Sequence, residues 1–452
     1  MVGGSLRDLF LARTPADWDM ATAARPDRVL ALFPGAVYEN AFGTVAVRQG
    51  GLTAEITTFR TDHDYADCRR PHRVEFGDDI ETDLARRDFT VNALAWGGRP
   101  GEPLALVDPF GGRADLERRL LRAVGDPALR FGEDALRMVR AVRLAATLGF
   151  EIEPDTLRAM SDSADLVRHL SGERVAAELL KLLGAPVPSV GLRLLESTGL
   201  LAWISPELAA QRSIPQDKIP GEDLWDHTVR TVDAAPVERP VVRLAALLHD
   251  IGKPATLANG PFHGHDVVGA ELAAVFLRRL RFPRASAEPV VHLVRHHMFA
   301  FEPAWGDSAV RRFIARVGQP NLEELFALRE ADDVGSGLVG EQPGLSELRA
   351  RVDEQLAARV PLDRADLAID GDILIAELGL TPGPSLGAIL DRLLETVLED
   401  PGLNDRATLL ALAESPTEAA GDVSGEPPAG QGRSGRSRTG QGRHSEHSTA
   451  PR

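Results

Sequence analysis

Gly3-Gly4-Ser5-Leu6-Arg7-Asp8 and, shortly after it, Asp17-Trp18-Asp19-Met20-Ala21-Thr22 are the stretches on which the rest of the chain turns. The second reads as a short strand, and strand side chains alternate faces, so Asp17 and Asp19 are expected to point the same way. Two carboxylates on one face suit Mg²⁺, a hard cation usually held by one or two carboxylates together with substrate phosphates. Asp-x-Asp also arises by chance in a chain that is 26% charged, so its meaning depends on its company. A glycine-rich turn that opens a helix can present backbone N–H groups to phosphate, but it normally follows a strand. Only Met1 and Val2 precede Gly3, so that strand is expected to be absent or to lie upstream. Leu6 to Leu11 reads as a short helix that Pro15 stops.

From Ala36 to Arg60 apolar and polar residues alternate as in hairpins, through Thr44-Val45-Ala46-Val47 and Thr53 to Phe59. Glu55 then falls on a neighbouring strand, either as a third carboxylate or as a solvated strand residue. Residues 61–75, with Arg69-Arg70-Pro71, read as a mobile polar loop. Arg86-Arg87-Asp88-Phe89-Thr90-Val91-Asn92-Ala93 follows, and its adjacent arginines either clamp a triphosphate through bidentate contacts or form a solvated charge cluster. Asp108-Pro109-Phe110-Gly111-Gly112 reads as a turn. Glu133 to Arg143 has apolar residues at helical spacing, which sets Asp134 and Arg137 on one face. They form either an intrahelical ion pair or a base reader. A carboxylate accepts from an exocyclic amino group while arginine donates to the adjacent ring nitrogen. Cytosine and adenine both offer that edge, and uracil and guanine offer the reverse.

Helical patterns continue to about residue 215 and lead into a histidine-rich region. It holds Asp226-His227-Thr228, Leu247-Leu248-His249-Asp250-Ile251-Gly252-Lys253-Pro254, His263-Gly264-His265-Asp266, Arg295-His296-His297 and Asp332-Asp333. Histidine and aspartate spread over several helices can converge on one or two metals in a bundle core, where a bound ion activates water for phosphoester hydrolysis. Scattered surface histidines are the alternative; a His-Asp pair ending an apolar helix favours the metal. Helices resume from about 340 to 412, with turns at Gly371 and at Thr381-Pro382-Gly383-Pro384. Beyond Glu414 apolar periodicity is lost, and a disordered tail is expected.

The formal charge of −16 over 452 residues excludes a uniformly basic coat, so nucleic acid must be held locally, by placed arginines. A single cysteine, Cys68, excludes an intramolecular disulfide framework and points to a reducing compartment. No apolar run is long enough to span a bilayer and no signal peptide is visible, so the expected location is cytoplasmic.

Taken together, Gly3-Gly4-x-x-Arg7-Asp8, Asp17-x-Asp19, Arg86-Arg87-Asp88-Phe89-Thr90, Asp108-Pro109-x-Gly111-Gly112 and Glu133-Asp134-x-x-Arg137 resemble, in order and spacing, the class II tRNA nucleotidyltransferases. That family comprises the CCA-adding enzymes and the bacterial poly(A) polymerases. The likeness covers roughly residues 1–412, and the joint occurrence of the motifs makes it specific. His227, His249-Asp250 and Asp332 resemble the ligand pattern of HD phosphohydrolases, which some bacterial CCA-adding enzymes carry behind the catalytic core.

The resemblance implies an α+β fold: a polymerase-β-like nucleotidyltransferase head (1–125), then a large all-α part. That part comprises a helical neck that recognises the nucleotide and tRNA (126–215), an HD-type region (216–340) and a helical C-terminal region (341–413), with the tail at 414–452. Asp17 and Asp19 would bind two Mg²⁺ ions, with Glu55 beside them, for in-line transfer to the tRNA 3′-hydroxyl. Gly4 and Arg7, joined by Arg86 or Arg87, would cradle the triphosphate. Asp134 and Arg137 match the family's amino-acid template, and Arg140 and Arg143 would support it or contact phosphate. His227, His249, Asp250, His265, His297 and Asp332 would hold a divalent metal of unspecified identity, with His297 preferred to His296.

The implied partners are tRNA, CTP and ATP, with no membrane and no DNA, and the implied activity is template-independent addition of C, C and A. The loop at 61–75 resembles the one that lets complete enzymes switch from C to A, and so favours full addition. The alternatives are poly(A) or partial (C-only or A-only) addition, an HD phosphohydrolase with an RNA-binding head, and a non-catalytic RNA-binding scaffold.

Overall fold

The computed structural model describes residues 1–415, apart from 16, 39–42, 64–72, 100, 217, 258–261, 339 and 341. Most of the expected loop at 61–75, and the expected tail from 416 onward, lie outside these residues. The chain forms two compact units, Met1–Leu362 and a second that begins at Asp363.

The first unit opens with helix α1 (Gly3–Phe10), which feeds a sheet of β1 (Trp18–Thr22), β2 (Val37–Tyr38), β3 (Thr44–Gln49) and β4 (Leu52–Thr58) in the order β1-β4-β3-β2. β1 and β4 run parallel and place Asp19 opposite Glu55; β3 and β4 form the expected antiparallel hairpin. Helix α2 (Pro26–Leu32) covers one face, burying Val29 on Val45 and Val47. Asp17 lies outside the strand, in the bend before Trp18, and is exposed. Strand alternation therefore does not relate it to Asp19.

The expected lack of a first strand is made good by two residues. Val2 bridges to Ala95, its N–H donates to the Asp19 carbonyl at 2.9 Å, and Trp96 N–H donates to the Met1 carbonyl at 2.8 Å. The ends of the expected loop are themselves paired strands, β5 (Arg60–His63) and β6 (Arg73–Phe76). Helix α3 (Ile80–Ala85), capped by Asp79, precedes the Arg86–Ala93 segment. Strands β7 (Ala95–Gly97) and β8 (Ala105–Val107) follow, then the Asp108 turn, whose carboxylate accepts from Gly112 and Arg113 N–H and starts α4 (Gly112–Arg118).

A pairing of β9 (Leu120–Leu121) with β10 (Glu151–Ile152) brackets α5 (Pro127–Glu133) and α6 (Leu136–Leu148). The helix expected over 133–143 is thus two helices, because Asp134 is extended (φ −146°, ψ 102°) and its carboxylate accepts from Leu136 N–H at 3.1 Å. An acidic side chain that competes for backbone N–H groups breaks the helix there. Next come α7 (Pro154–Asp162), α8 (Gly172–Leu183), α9 (Pro188–Ser197), α10 (Leu200–Ile204) and α11 (Pro206–Ala209). The histidine-rich region is built from α12 (Leu224–Ala234), α13 (Pro240–Leu248), α14 (Lys253–Thr256), α15 (His265–Arg279), α16 (Arg284–His296), α17 (Asp307–Val317) and α18 (Leu322–Gly335). Helix α19 (Pro343–Ala357) packs Leu348 and Val352 into the same apolar core, which extends back to Leu6.

The second unit has its own small core of Leu374, Leu393, Val397 and Leu409, from α20 (Gly371–Leu378), α21 (Pro384–Glu399) and α22 (Arg406–Glu414), joined by Leu367 and Ile369 from the segment before α20. Gly371, expected in a turn, is the first residue of α20, because Asp370 caps the helix by accepting from Ile373 N–H.

Arg243 holds the core at one point. Its buried guanidinium donates to the carbonyls of Ala235 (2.9 Å), Ala185 (2.7 Å) and Leu183, at the C-terminal ends of α12 and α8, where a cation is favoured. Arg243→Met leaves three buried carbonyls without a donor and is expected to lower the unfolding free energy by about 3 kcal/mol. Denaturant titration of the full chain measures it.

Candidate functional site

The head site forms where α1 begins. Gly3 has φ +66°, and a Cβ there would meet Arg87 Nη1 at 2.5 Å and Asp19 Oδ2 at 3.5 Å. A Cβ on Gly4 would lie 3.6 Å from both Asp19 Oδ2 and an Arg7 nitrogen. The two glycines therefore form a cradle against which Asp19, Arg7 and Arg87 close, with the Arg87 guanidinium where a side chain on Gly3 would lie. Asp19 is half-buried. Burial raises its pKa above the ordinary carboxylate value and the nearby Asp17 adds to this, against the Ser5 backbone, Arg87 and Arg7. Among the described residues Asp17, Asp19 and Glu55 do not gather as a triad of ligand atoms; Asp19 and Glu55 are neighbours in register and Asp17 stands at the exposed edge.

Arg7 is fixed by Asp8 (Nε to Oδ1, 2.8 Å) and Asn92 (Nη1 to Oδ1, 2.7 Å). Arg87 reaches the cradle while bonded to the Asn92 carbonyl (3.4 Å) and Asp83 (3.3 Å). Arg86 turns onto Asp83 at 2.9 and 2.7 Å, so of the two arginines Arg87 is the one that meets the glycines.

Asp134 and Arg137 do not pair with each other. Arg174 donates to Asp134 at 2.7 Å, and Arg137 donates to Glu133 (2.6 Å) and to the carbonyls of Arg130 (3.0 Å) and Arg86 (2.8 Å). Arg140 pairs with Asp88 at 2.7 Å and Arg143 with Glu178 at 2.5 Å. Sequence reading missed Asp88, Asn92, Arg174 and Glu178 as members of this network. Asp88 and Asn92 lay within a motif already singled out, but Arg174 and Glu178 are one helical turn apart on α8, and nothing local announces that α8 faces α6.

The second constellation is denser. Ligand atoms of His227, His249 and Asp332 all lie within 4.8 Å of one another, as do those of Asp250, His265 and His297. Every one of these side chains but that of Asp332 is almost fully buried. Asp250 stands between the groups: Oδ2 is 3.4 Å from His227 Nε2 and 3.1 Å from His249 Nε2, while Oδ1 is 3.4 Å from His265 Nε2 and 3.7 Å from His297 Nε2. His249, His265 and His297 each direct Nδ1 at a backbone carbonyl, of Ala246, Phe262 and Val294, at 2.7–2.8 Å. That contact holds the proton on Nδ1 and leaves Nε2 as a lone pair facing inward.

Asp250 Oδ2 and Asp332 Oδ1 lie beside inward imidazole nitrogens, and that buried set of carboxylate oxygens and imidazoles fits a divalent cation. Burial opposes ionisation of Asp250, but His249 and Lys253, whose Nζ lies 2.7 Å from Oδ2, hold it well below the usual carboxylate range. Burial lowers the His249 imidazole. At His227 burial is outweighed by Asp250 and Asp332, and the imidazole is raised. Gly252 allows the site to close: a Cβ there would lie 2.2 Å from the His265 carbonyl, so α15 sits directly on the turn after Asp250. His296 is not part of it; its ring lies tilted against that of His292, centroids 4.5 Å apart.

Comparison with known proteins follows the same order along the chain. Residues 1–122 match the Poly A polymerase head domain, 149–212 an RNA and SrmB binding site of polymerase A, 195–336 the HD domain, and 267–413 tRNA nucleotidyltransferase domain 2. The CCA-adding enzyme of Geobacillus stearothermophilus is 34% identical over 422 residues, 91% of each chain. The A-adding tRNA nucleotidyltransferase of Deinococcus radiodurans is 36% identical over 421 residues, 87% of this chain and 90% of the relative. The crystal structure of the Bacillus stearothermophilus CCA-adding enzyme in complex with CTP superposes with a TM-score of 0.65 at 31% identity, covering 91% of each chain. The Thermotoga maritima CCA-adding enzyme complexed with tRNA, at 21% identity and a TM-score of 0.54, shares the fold.

Proposed function

Because this chain belongs to the family of the CCA-adding tRNA nucleotidyltransferases, we propose that its head adds C, C and A from CTP and ATP to the 3′ end of tRNA, releasing pyrophosphate. The observation that carries this reading is the glycine cradle, where the absence of side chains at Gly3 and Gly4 lets Asp19, Arg7 and Arg87 gather against the start of α1.

Asp17 and Asp19, with Glu55 on the adjoining strand, are the carboxylates that would hold Mg²⁺. When bound, it activates the attacking 3′-hydroxyl and neutralises phosphate charge. Arg7 and Arg87 supply fixed donors to triphosphate oxygens, and because Asp8 and Asn92 already orient Arg7, little freedom is lost on binding. Asp134 and Arg137 present acceptor and donor to the amino and ring-nitrogen edge shared by cytosine and adenine, while Arg140 and Arg143 brace their helix through Asp88 and Glu178. Asp134→Ala is therefore expected to lower discrimination of CTP and ATP over UTP and GTP by about 10-fold or more, one bidentate base contact. Single-nucleotide incorporation into a tRNA lacking its 3′ end measures this.

A-only addition is the second reading, favoured by the likeness to the Deinococcus radiodurans enzyme. The stretch that favoured full addition, residues 61–75, falls mostly outside the described residues. Incubation with CTP alone decides: growth by C supports full addition.

The HD region is a metal-dependent phosphohydrolase in this reading, with His227, His249 and Asp332 on one side of Asp250 and His265 and His297 on the other. A cation there supplies activated water, and Lys253 balances Asp250. Head 1–125, neck 126–215, HD region 216–340 and C-terminal region 341–413 are the functional divisions. Among the described residues no helix is long and apolar enough to cross a membrane; that and the lone Cys68 are in keeping with a cytoplasmic setting.

A further inference from the structure

Four side chains, bonded end to end, run from the base-reading helix to the triphosphate cradle. Arg140, one turn beyond Arg137 on α6, donates through Nε to Asp88 Oδ2 at 2.9 Å. The other oxygen of Asp88 accepts from Asn92 Nδ2 at 3.0 Å, and Asn92 Oδ1 accepts from Arg7 at 2.7 Å. Asp88 and Asn92 are buried, and a second clamp, Arg137 on the Arg86 carbonyl at 2.8 Å, ties α6 to the same segment.

The chemistry dictates the order of the links. A guanidinium offers only donors and a carboxylate only acceptors, so a neighbour of both must present oxygen to one and N–H to the other. The Asn92 amide does this, and its orientation is thereby fixed. An aspartate in its place keeps the oxygen toward Arg7 but sets a carboxylate against Asp88.

We propose that Asn92 and Asp88 are positioning residues that couple the base site to the triphosphate cradle. A base seated at Asp134 and Arg137 settles α6, and Arg140, Asp88 and Asn92 pass that placement to Arg7. A mismatched base leaves α6 unsettled, and the triphosphate is gripped less firmly. Selection then acts on the reacting phosphate and not only at the base. This rests on the base-reading role proposed above for Asp134 and Arg137.

The test uses the full chain as Asn92→Asp, Asn92→Ala and, as control, Asp134→Ala. Calorimetry gives equilibrium affinities for CTP, UTP and inorganic tripolyphosphate, and steady-state assays give kcat and KM for CTP. Asn92→Asp is expected to lower the CTP-over-UTP affinity ratio by roughly 5-fold or more, the range of coupling between linked sites. Tripolyphosphate binding weakens as well, because the new carboxylate sets a negative charge against Arg7, but that loss is common to CTP and UTP and leaves their ratio to report the coupling. Asn92→Ala lowers the same ratio and also weakens tripolyphosphate binding, and it serves as the second variant should Asn92→Asp fold poorly. If CTP and UTP weaken in equal proportion in both variants, or the ratio does not move, the coupling is refuted. If Asp134→Ala leaves the ratio unchanged, the base-reading role falls and the coupling with it. A fall in Asp134→Ala without one at Asn92 overturns the coupling alone.

Discussion

Asp19→Asn is expected to lower CTP incorporation by roughly 10³-fold or more, the scale of removing a fixed group that stabilises transition-state charge. The same variant should be at least as stable as the parent at pH 7, which separates lost chemistry from lost fold. The sign follows from the raised Asp19 pKa, caused first by burial and then by Asp17. Below the unfolded value both states are protonated; as pH rises through the folded value, ionising Asp19 costs the native state more than the unfolded one. Asparagine removes that cost. Incorporation assays paired with melting curves at pH 4 and pH 7 test both parts: the stability gain should be smaller at pH 4, where the unfolded carboxyl is only partly ionised, than at pH 7. A variant that extends tRNA at the parental rate would remove Asp19 from the reaction.

The second large effect lies at Asp250. Because one carboxylate faces both histidine groups, Asp250→Asn is expected to reduce bound divalent metal by at least half and to abolish metal-dependent phosphoester hydrolysis. Addition of CTP and ATP should continue, since among the described residues the side chains gathered at this centre all come from residues 227–332. Elemental analysis of dialysed protein and release of phosphate from 2′,3′-cyclic nucleotides are the measurements. The depressed Asp250 pKa gives a pH signature for the parent protein. The stability it contributes is present above the ordinary carboxylate value and is lost as pH falls through the folded value. Hydrolysis that survives in Asp250→Asn would place the activity elsewhere.

Much of this was legible in the sequence because it depended on order along the chain. Alternating residues marked β3 and β4 and put Glu55 on a strand neighbouring Asp19; that the two fall opposite each other is set by the β1–β4 register. The histidines of Leu248-His249-Asp250 and its downstream partners converge because apolar helical faces turn inward and carry the ligands with them. What stayed hidden was decided by contacts distant in sequence. Asp134 and Arg137, three apart, read as either an ion pair or a base reader on one helical face; the pair is not formed, because the Asp134 carboxylate accepts from Leu136 N–H and takes Arg174 from α8 instead. Asp17 looked equivalent to Asp19 by periodicity, yet the strand begins one residue too late to include it. Two residues before Gly3 looked too few for a strand, but Val2 needs only one N–H to reach the Asp19 carbonyl and one bridge to Ala95.

Arg243 bears on how the molecule comes apart. It sits on the end of α8, in the neck, and on the end of α12, in the histidine-rich region, while one apolar core runs from Leu6 to Val352. The proposed borders between head, neck and HD region therefore do not coincide with breaks in this core. Residues 1–362 should unfold in a single cooperative transition, and the HD region cut out at 216–340 should expose a broad apolar face and fail to hold its fold alone.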